Sequence, residues 1–174
     1  MDDFYLGKHD RKGAWRGPPG THDLGALVGV LEQIRERRTP ITLPRFSPEM
    51  DDRIAPAIVT SPPDRAFLDG FYLGYKPDDY GALLAYIDLL VFLEMDEATV
   101  RARRFAREAE LRTHGGGFSP SEMQRFWDEV LEPGMRTWTK AAMDSADLIL
   151  SIGADGNLRS ARSASRNVVE ALTR

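Results

Sequence analysis

One apolar run limits what this chain can fold into. Residues 87–93 are apolar except for Asp88, and the acids Glu94 and Asp96 follow them. A strand of this composition has no polar face, which is typical of a parallel sheet covered by helices on both sides. Residues 147–152 predict a second strand, and helical patterns lie between such segments. We therefore predict an α/β domain with a mainly parallel sheet.

The first half of the chain shows one helix and two further strand candidates. Residues 24–34 repeat apolar side chains every three or four positions, which predicts a helix that ends in the basic run 35–38. Residues 41–43 predict a short strand, and residues 65–70 predict a buried strand that ends in an acid. Between them we expect a long, proline-rich irregular stretch, 44–63.

Helix signals dominate the second half. Asp96 is predicted to cap a helix over 97–112, which the triple glycine at 115–117 stops. Ser119, followed by proline and by glutamate three positions on, predicts the start of the next helix. We expect that helix to end near residue 132, where Pro133 opens another up to residue 143. We assign residues 1–156 to one domain and 157–174 to a tail or a short helix over 168–172.

Composition excludes several classes of function. The 174 residues contain no cysteine, so disulfides, thiolate metal sites and a cysteine nucleophile are excluded. The net charge of −4 favours neither a nucleic-acid partner nor an anionic membrane. The N-terminus lacks the features of a signal peptide, and no apolar run is long enough to span a bilayer. We therefore expect a cytoplasmic location.

Acidic residues mark the first candidate site. Asp2 and Asp3 open the chain, and Asp69 ends a predicted strand, where ligands of parallel sheets gather. A carboxylate beside a substrate hydroxyl can accept its proton, and carboxylate oxygens suit Mg²⁺. A solvated terminus explains Asp2 and Asp3 equally well.

Other polar residues also allow two interpretations. His22 and Asp23 could bind hydroxyl groups, or could form an ordinary helix N-cap. Arg53 could contact an anionic substrate or lie on the surface. The arginines of the helix over 97–112 could form a lid over ATP phosphates, spanning about 101–120 with the triple glycine as hinge, or could form salt bridges in solvent.

A phosphate-binding loop is not found. No segment has the pattern Gly-x-x-x-x-Gly-Lys-Ser/Thr, whose amides and lysine cradle phosphates. The glycines at 17 and 20 have no following lysine, and those at 115–117 lead into Phe-Ser-Pro.

Four short motifs nevertheless occur in a fixed order. They are Asp2-Asp3-Phe4-Tyr5-Leu6, then Arg16-Gly17-Pro18-Pro19-Gly20-Thr21-His22-Asp23, then Leu43-Pro44-Arg45-Phe46 with Asp51-Asp52-Arg53, then Leu68-Asp69-Gly70-Phe71-Tyr72-Leu73-Gly74. Together they resemble D-glycerate 3-kinase-type proteins of the uridine kinase and phosphoribulokinase group of P-loop kinases. Residues 104–138 resemble the lid of that group and the helices after it. The resemblance covers roughly residues 2–152 and implies a three-layer P-loop NTPase-type parallel sheet with flanking helices.

The resemblance also implies roles for particular residues. Asp2 matches the acid that activates the acceptor hydroxyl, and Asp69 matches the acid that helps to order Mg²⁺. Arg104 and Arg107 match lid arginines that contact ATP. The predicted substrate-binding residues are Asp3, Tyr5, His22, Asp23 and Arg53. The implied partner is a small-molecule substrate, glycerate first and a nucleoside or pantothenate-like alcohol second. Ser47-Pro48 stands where the group often has Asp-Lys, and this departure weighs against glycerate.

The resemblance does not include the first elements of the kinase group. Members of the group carry a first strand, the phosphate loop (Walker A), a helix and a second strand before Asp-Asp-Phe-Tyr. We expect a truncated or degenerate kinase domain that is inactive alone and has exposed strand edges through which it could self-associate. The alternative is a non-catalytic small-molecule-binding or regulatory remnant.

Overall fold

The chain is described by a computed structural model that covers residues 1–12, 14–77 and 79–163. It divides into two compact units, Met1–Ile87 and a second unit that begins at Asp88. None of the helices in the described part is both long and apolar enough to cross a membrane.

The first unit contains one long helix and one hairpin. Helix α1 (Leu24–Arg35) begins as predicted, with Asp23 as its N-cap. Strands β1 (Ile41–Ser47) and β2 (Asp52–Val59) pair antiparallel. Short 3-10 segments at Asp2–Phe4 and Tyr80–Tyr86 complete the unit. Its core contains side chains from α1, β1 and the two 3-10 segments, together with Tyr72 from the turn before Tyr80–Tyr86; they are Phe4, Leu27, Val30, Ile41, Phe46, Tyr72, Tyr80 and Leu83.

The hairpin corrects the prediction of an irregular stretch over 44–63. The prolines do not prevent pairing, because both strands of a two-stranded sheet are edge strands and need only some of their amide groups. The register shifts between Leu43 and Arg45, so the irregularity falls at Pro44, which has no N–H to donate. β1 therefore continues four residues beyond the predicted strand.

The predicted buried strand at 65–70 is wrong. This segment has no regular secondary structure, and Phe67 is 97% exposed. A strand is stabilised by ladder hydrogen bonds to a neighbour, and no strand in the described part pairs with residues 65–70. Met1 instead contacts this segment, and its backbone nitrogen donates to the carbonyl oxygen of Asp69.

The second unit is built on a three-stranded sheet. Its strands are β3 (Val91–Glu94), β4 (Leu148–Ile152) and β5 (Leu158–Ser163), in that order across the sheet. β3 and β4 are parallel and β4 and β5 antiparallel, so only one pair of described strands agrees with the predicted, mainly parallel sheet. β5 occupies a segment predicted as tail, whereas the predicted helix over 168–172 lies outside the described residues. β3 begins later than predicted, at Val91.

Helices of the second unit follow the predicted starts closely. Helix α2 (Glu97–Thr113) has Asp96 as its N-cap, and α3 (Pro120–Phe126) begins with the predicted capping box. The predicted break at Pro133 is absent, because the helical path continues through the π-type turns Trp127–Leu131 and Met135–Thr139 to Asp144. A π-type turn shifts the hydrogen-bond partners, which lets the path pass a residue without an N–H.

Candidate functional site

A cavity of about 300 Å³ lies in the first unit. Four of its eight lining residues were predicted from the sequence, namely Asp2, Asp3, Tyr5 and Asp69. The other four are Met1, Arg16, Phe46 and Pro48. The structure therefore brings together the two residues predicted as catalytic and two of the five predicted to bind substrate.

The two acids at the start of the chain are held differently. Phe4 is buried and anchors the 3-10 turn Asp2–Phe4. Asp3 Oδ1 accepts a hydrogen bond of 3.1 Å from the backbone N–H of Phe46, which fixes Asp3 to β1. Asp2 is exposed, and no described residue donates a hydrogen bond to its carboxylate. Asp2 is therefore the acid of this pair whose carboxylate is not held by a described donor.

Asp69 is placed in the cavity by a close contact beside it. Met1 is buried against Gly70, where a Cβ atom would lie 2.5 Å from the Met1 Sδ. A side chain at position 70 would displace Met1, so glycine allows Met1 and Asp69 to line the same cavity. The carboxylate of Asp69 is exposed.

Tyr5 and His22 form a stacked pair. Backbone hydrogen bonds join their segments, from Leu6 N–H to the Thr21 carbonyl at 2.9 Å and from Asp23 N–H to the Phe4 carbonyl at 2.8 Å. This bridge brings the rings of Tyr5 and His22 to a centroid distance of 4.2 Å. Tyr5 lines the cavity, whereas His22 lies behind it.

His22 is buried and neutral. Its Nδ1 atom is 2.9 Å from the hydroxyl oxygen of Tyr80, a residue with no exposed surface. Burial lowers the pKa of His22 to about 4, since a charged imidazolium would lose its hydration there. His22 therefore supports Tyr5 as an uncharged ring.

Asp23 and Arg53 bind each other. Asp23 Oδ1 accepts from the Ala26 N–H at 2.9 Å, as an N-cap, and Oδ2 accepts from Arg53 Nη2 at 2.9 Å. These two hydrogen bonds, led by the backbone bond from Ala26, keep the pKa of Asp23 below its ordinary value. Arg53 also donates from Nε to the carbonyl of Tyr5 at 3.1 Å. The N-cap interpretation of Asp23 is confirmed, and neither residue lines the cavity.

Arg16 is the lining residue that the sequence analysis missed. Its Nε lies 3.3 Å from Asp51 Oδ1, and its guanidinium carbon lies 5.5 Å from the centre of the Phe46 ring. The one signal in the sequence was its position directly before the Gly-Pro-Pro-Gly turn, inside one of the four motifs. Among the lining residues Arg16 carries the only side-chain positive charge.

The two predicted lid arginines lie in the second unit, on α2. Arg104 Nη2 is 2.8 Å from Glu108, four residues along the helix, and the two residues form a salt bridge on α2. Arg107 is exposed. Glu94, at the end of β3, is bound by Arg162 and Ser151, and the hydrogen bond from Arg162 is the main cause of its low pKa, about 2.

A metal site formed by protein ligands alone is not found in the described ranges. No three His, Asp or Glu side chains within them lie close enough together to hold a metal ion. A single carboxylate such as Asp69 fits Mg²⁺ only when phosphate oxygens and water supply the remaining ligands, which is an ordinary ligand set for this ion.

Comparison with known proteins gives a fold but no family. No protein-family model matches the sequence, and no curated protein matches it. A solved structure of the YGR205w protein aligns with 94% of this chain and 75% of its own, at 23% identity and a TM-score of 0.70. The structure of D-glycerate 3-kinase from Cryptococcus neoformans var. grubii aligns with 94% and 78%, at 19% identity and a TM-score of 0.68. The chain therefore has a mixed α/β fold that it shares with a kinase of known structure.

Proposed function

We propose that this chain is a kinase-type domain that transfers the γ-phosphoryl group of ATP to a hydroxyl of a small metabolite. D-glycerate is the first acceptor we propose. The observation that carries this proposal is the cavity that Asp2, Asp69 and Tyr5 line together. No described residue donates a hydrogen bond to the carboxylate of Asp2. The fold shared with a D-glycerate 3-kinase supports the same class of reaction.

Asp2 is the proposed general base. Its carboxylate accepts the proton of the acceptor hydroxyl while the hydroxyl oxygen bonds to the γ-phosphorus and the bond to the ADP oxygen breaks. Asp3 is held by the Phe46 N–H and positions the turn that carries Asp2. Tyr5, whose ring stacks on that of His22, is proposed to contact the acceptor. Asp23 and Arg53, bound to each other, are proposed to hold this substrate-binding segment in place.

Magnesium and the phosphates complete the proposal. Asp69 is proposed to hold Mg²⁺ together with ATP oxygens, and the ion would neutralise charge on the phosphates. Arg104 and Arg107 are proposed to contact ATP phosphates. We further propose a three-layer P-loop NTPase-type sheet whose phosphate loop and first strand are supplied by residues outside these 174.

The test is an assay of phosphoryl transfer with matched variants. We would follow ADP release and the phosphorylated product by ³¹P NMR, with ATP, Mg²⁺ and D-glycerate. Two forms would be compared, the chain of 174 residues and the full protein encoded with any sequence that precedes Met1. We expect turnover from the form that contains a phosphate loop and a loss of at least about 100-fold in Asp2→Asn. Asp10→Asn, an exposed acid outside the cavity, is the control. Full activity of Asp2→Asn would contradict the proposal.

A second candidate is a non-catalytic module that binds a small hydroxylated ligand. The observation that favours it is the lack of the pattern Gly-x-x-x-x-Gly-Lys-Ser/Thr in the sequence. Calorimetry would show saturable binding of a polyol or hydroxy acid by wild type, weakened by Tyr5→Ala, while ATP turnover stays at background in every form of the protein.

A further inference from the structure

We infer that Arg16 binds the carboxylate group of the acceptor, so that this site selects small hydroxy acids over neutral alcohols. The inference rests on the proposed function for the identity of the site and adds its specificity-determining residue. The family resemblance implies Arg53 as the anion contact, but Arg53 is bound to Asp23 and does not line the cavity.

Arg16 is held in one orientation by two contacts. Arg16 Nε forms an ion pair with Asp51 Oδ1 at 3.3 Å, and the centre of the Phe46 ring lies 5.5 Å from the guanidinium carbon. Phe46 is buried, so the surface against which the guanidinium lies is fixed. The side chain of Arg16 is only 28% exposed. A fork that is oriented before the ligand arrives loses little entropy on binding.

The terminal nitrogens of Arg16 remain for a ligand. In the part of the chain that the structure describes, Arg16 interacts through Nε and its guanidinium face, and no residue accepts a hydrogen bond from Nη1 or Nη2. A guanidinium offers two parallel N–H groups that match the two oxygens of a carboxylate. This geometry suits a carboxylate better than a hydroxyl group, which has one oxygen.

Local charge supports an anion at Arg16. Asp51 Oδ1 also accepts from Arg11 Nη2 at 2.5 Å, and Arg11 donates to the Leu6 carbonyl as well. Two cations therefore share one carboxylate, which leaves this cluster with one surplus positive charge beside the cavity. A singly charged group balances that surplus.

The same charges argue against a phosphorylated acceptor. Asp2, Asp3 and Asp69 also line the cavity and oppose any anion in it, so a negative charge beyond the one that faces Arg16 would meet these carboxylates with no further cationic side chain among the lining residues. A carboxylate of charge −1 satisfies one guanidinium, whereas a phosphate monoester brings nearly two charges to the same position. A small hydroxy acid is consequently the acceptor that suits both ends of the site, its carboxylate at Arg16 and its hydroxyl at Asp2.

The test measures binding and turnover separately. Titration calorimetry without nucleotide would compare D-glycerate, glyceramide, glycerol and glycerol 3-phosphate on wild type, Arg16→Gln and Arg16→Lys. We expect wild type to bind D-glycerate best and Arg16→Gln to lose about 10- to 100-fold in affinity for it, with no change for glyceramide. Arg16→Lys keeps the charge without the fork, and we expect an intermediate loss. Arg38→Gln, an exposed arginine of the same unit paired with Glu36, is the control.

The affinity measurements test the role of Arg16, and the turnover measurements test the proposed kinase activity. Equal affinity of wild type for D-glycerate and glyceramide, or an unchanged acid preference in folded Arg16→Gln, overturns the role of Arg16 even when phosphoryl transfer is observed. Where transfer occurs, we expect Arg16→Gln to raise KM for D-glycerate far more than it lowers kcat. If acid binding depends on Arg16 and no form of the protein turns over ATP, the inference stands and the proposed kinase activity fails.

Discussion

The imidazole of His22 lies stacked on the phenol ring of Tyr5, with 4.2 Å between the ring centroids. The stack joins a buried residue to one that lines the cavity, so the ionisation of His22 affects a surface that a ligand would contact. Tyr72 and Tyr80 surround His22 edge-on, at 5.9 and 6.0 Å between centroids. An imidazolium in this aromatic cage would have lost most of its hydration.

The first prediction concerns stability in acid. The pKa of His22 is about 4 in the folded chain and about 6.5 in an unfolded one, so the unfolded state binds more protons between these values. Its contribution to the free energy of unfolding is therefore complete above pH 6.5 and is lost as the pH falls towards 4. We expect about 2 kcal/mol of this loss between pH 7 and pH 5, measured by urea denaturation.

His114 provides the matched control for that experiment. It is exposed at the end of α2, and His114→Gln should keep the full acid sensitivity of wild type. In His22→Gln, the difference in the free energy of unfolding between pH 7 and pH 5 should be smaller than in wild type by about 2 kcal/mol. An identical pH dependence in both variants would contradict a neutral, buried His22.

The second prediction concerns the tautomer of His22. The Tyr80 hydroxyl accepts from the Gly20 N–H at 3.3 Å, which leaves its own proton for His22 Nδ1 at 2.9 Å. We therefore expect the ring proton of His22 on Nε2, visible in the ¹⁵N shifts of the imidazole. Tyr80→Phe should mix the tautomers and cost about 1–2 kcal/mol, since Nδ1 loses its partner in a buried position.

Tyr75→Phe is the control for Tyr80→Phe. The ring of Tyr75 lies 6.1 Å from that of Tyr80, but no hydrogen bond joins its hydroxyl to a described residue. Its loss should leave the ¹⁵N shifts of His22 unchanged. Detection of the Nδ1–H tautomer in wild type would refute the assignment.

Sequence signals that act over a few residues predicted more of this structure than sequence could predict about pairing between distant segments. The starts of α1, α2 and α3 were predicted correctly because Asp23, Asp96 and Ser119 bond to amides only three residues away. The strand at 65–70 was predicted wrongly because a strand depends on a neighbour that its own composition does not specify. The hairpin of β1 and β2 was missed for the same reason, since its prolines suggested a loop.

The site shows the same division. Asp2, Asp3, Tyr5 and Asp69 were identified through motifs and do line one cavity. The choice between Arg16 and Arg53 could not be made from sequence, because nothing local to either arginine specifies its partner. Only tertiary structure shows that Arg53 is bound to Asp23, whereas Arg16 faces the cavity beside a shared Asp51.

The third prediction concerns the segment predicted as a lid. Glu108 is buried on α2, where its carboxylate binds Arg104 at 2.8 Å and accepts from the Phe118 N–H at 3.0 Å. Glu108→Ala should cost about 2 kcal/mol or more, since it leaves the Phe118 amide without its acceptor and removes an ion pair. Chemical denaturation would measure the loss. Glu110→Ala, at an exposed position of the same helix, should change stability by less than about 0.5 kcal/mol, and an equal cost for both would contradict the role of Glu108.

The fourth prediction compares two glycine substitutions with opposite expected signs. A Cβ at position 70 would lie 2.5 Å from Met1 Sδ, 2.6 Å from its Cγ and 2.9 Å from its Cβ, so Met1 would have to move as a whole. Gly70→Ala should therefore cost about 1–3 kcal/mol and weaken ligand binding in the cavity that Met1 and Asp69 line.

Gly29 lies within α1, where no atom comes within 4 Å of the position that an alanine methyl group would take, and Gly29→Ala should stabilise by about 0.5–1 kcal/mol. Urea denaturation and calorimetry with D-glycerate would measure both effects. If Gly70→Ala is as stable as wild type and binds as well, Met1 does not occupy the position against Gly70 on which the shape of the cavity depends.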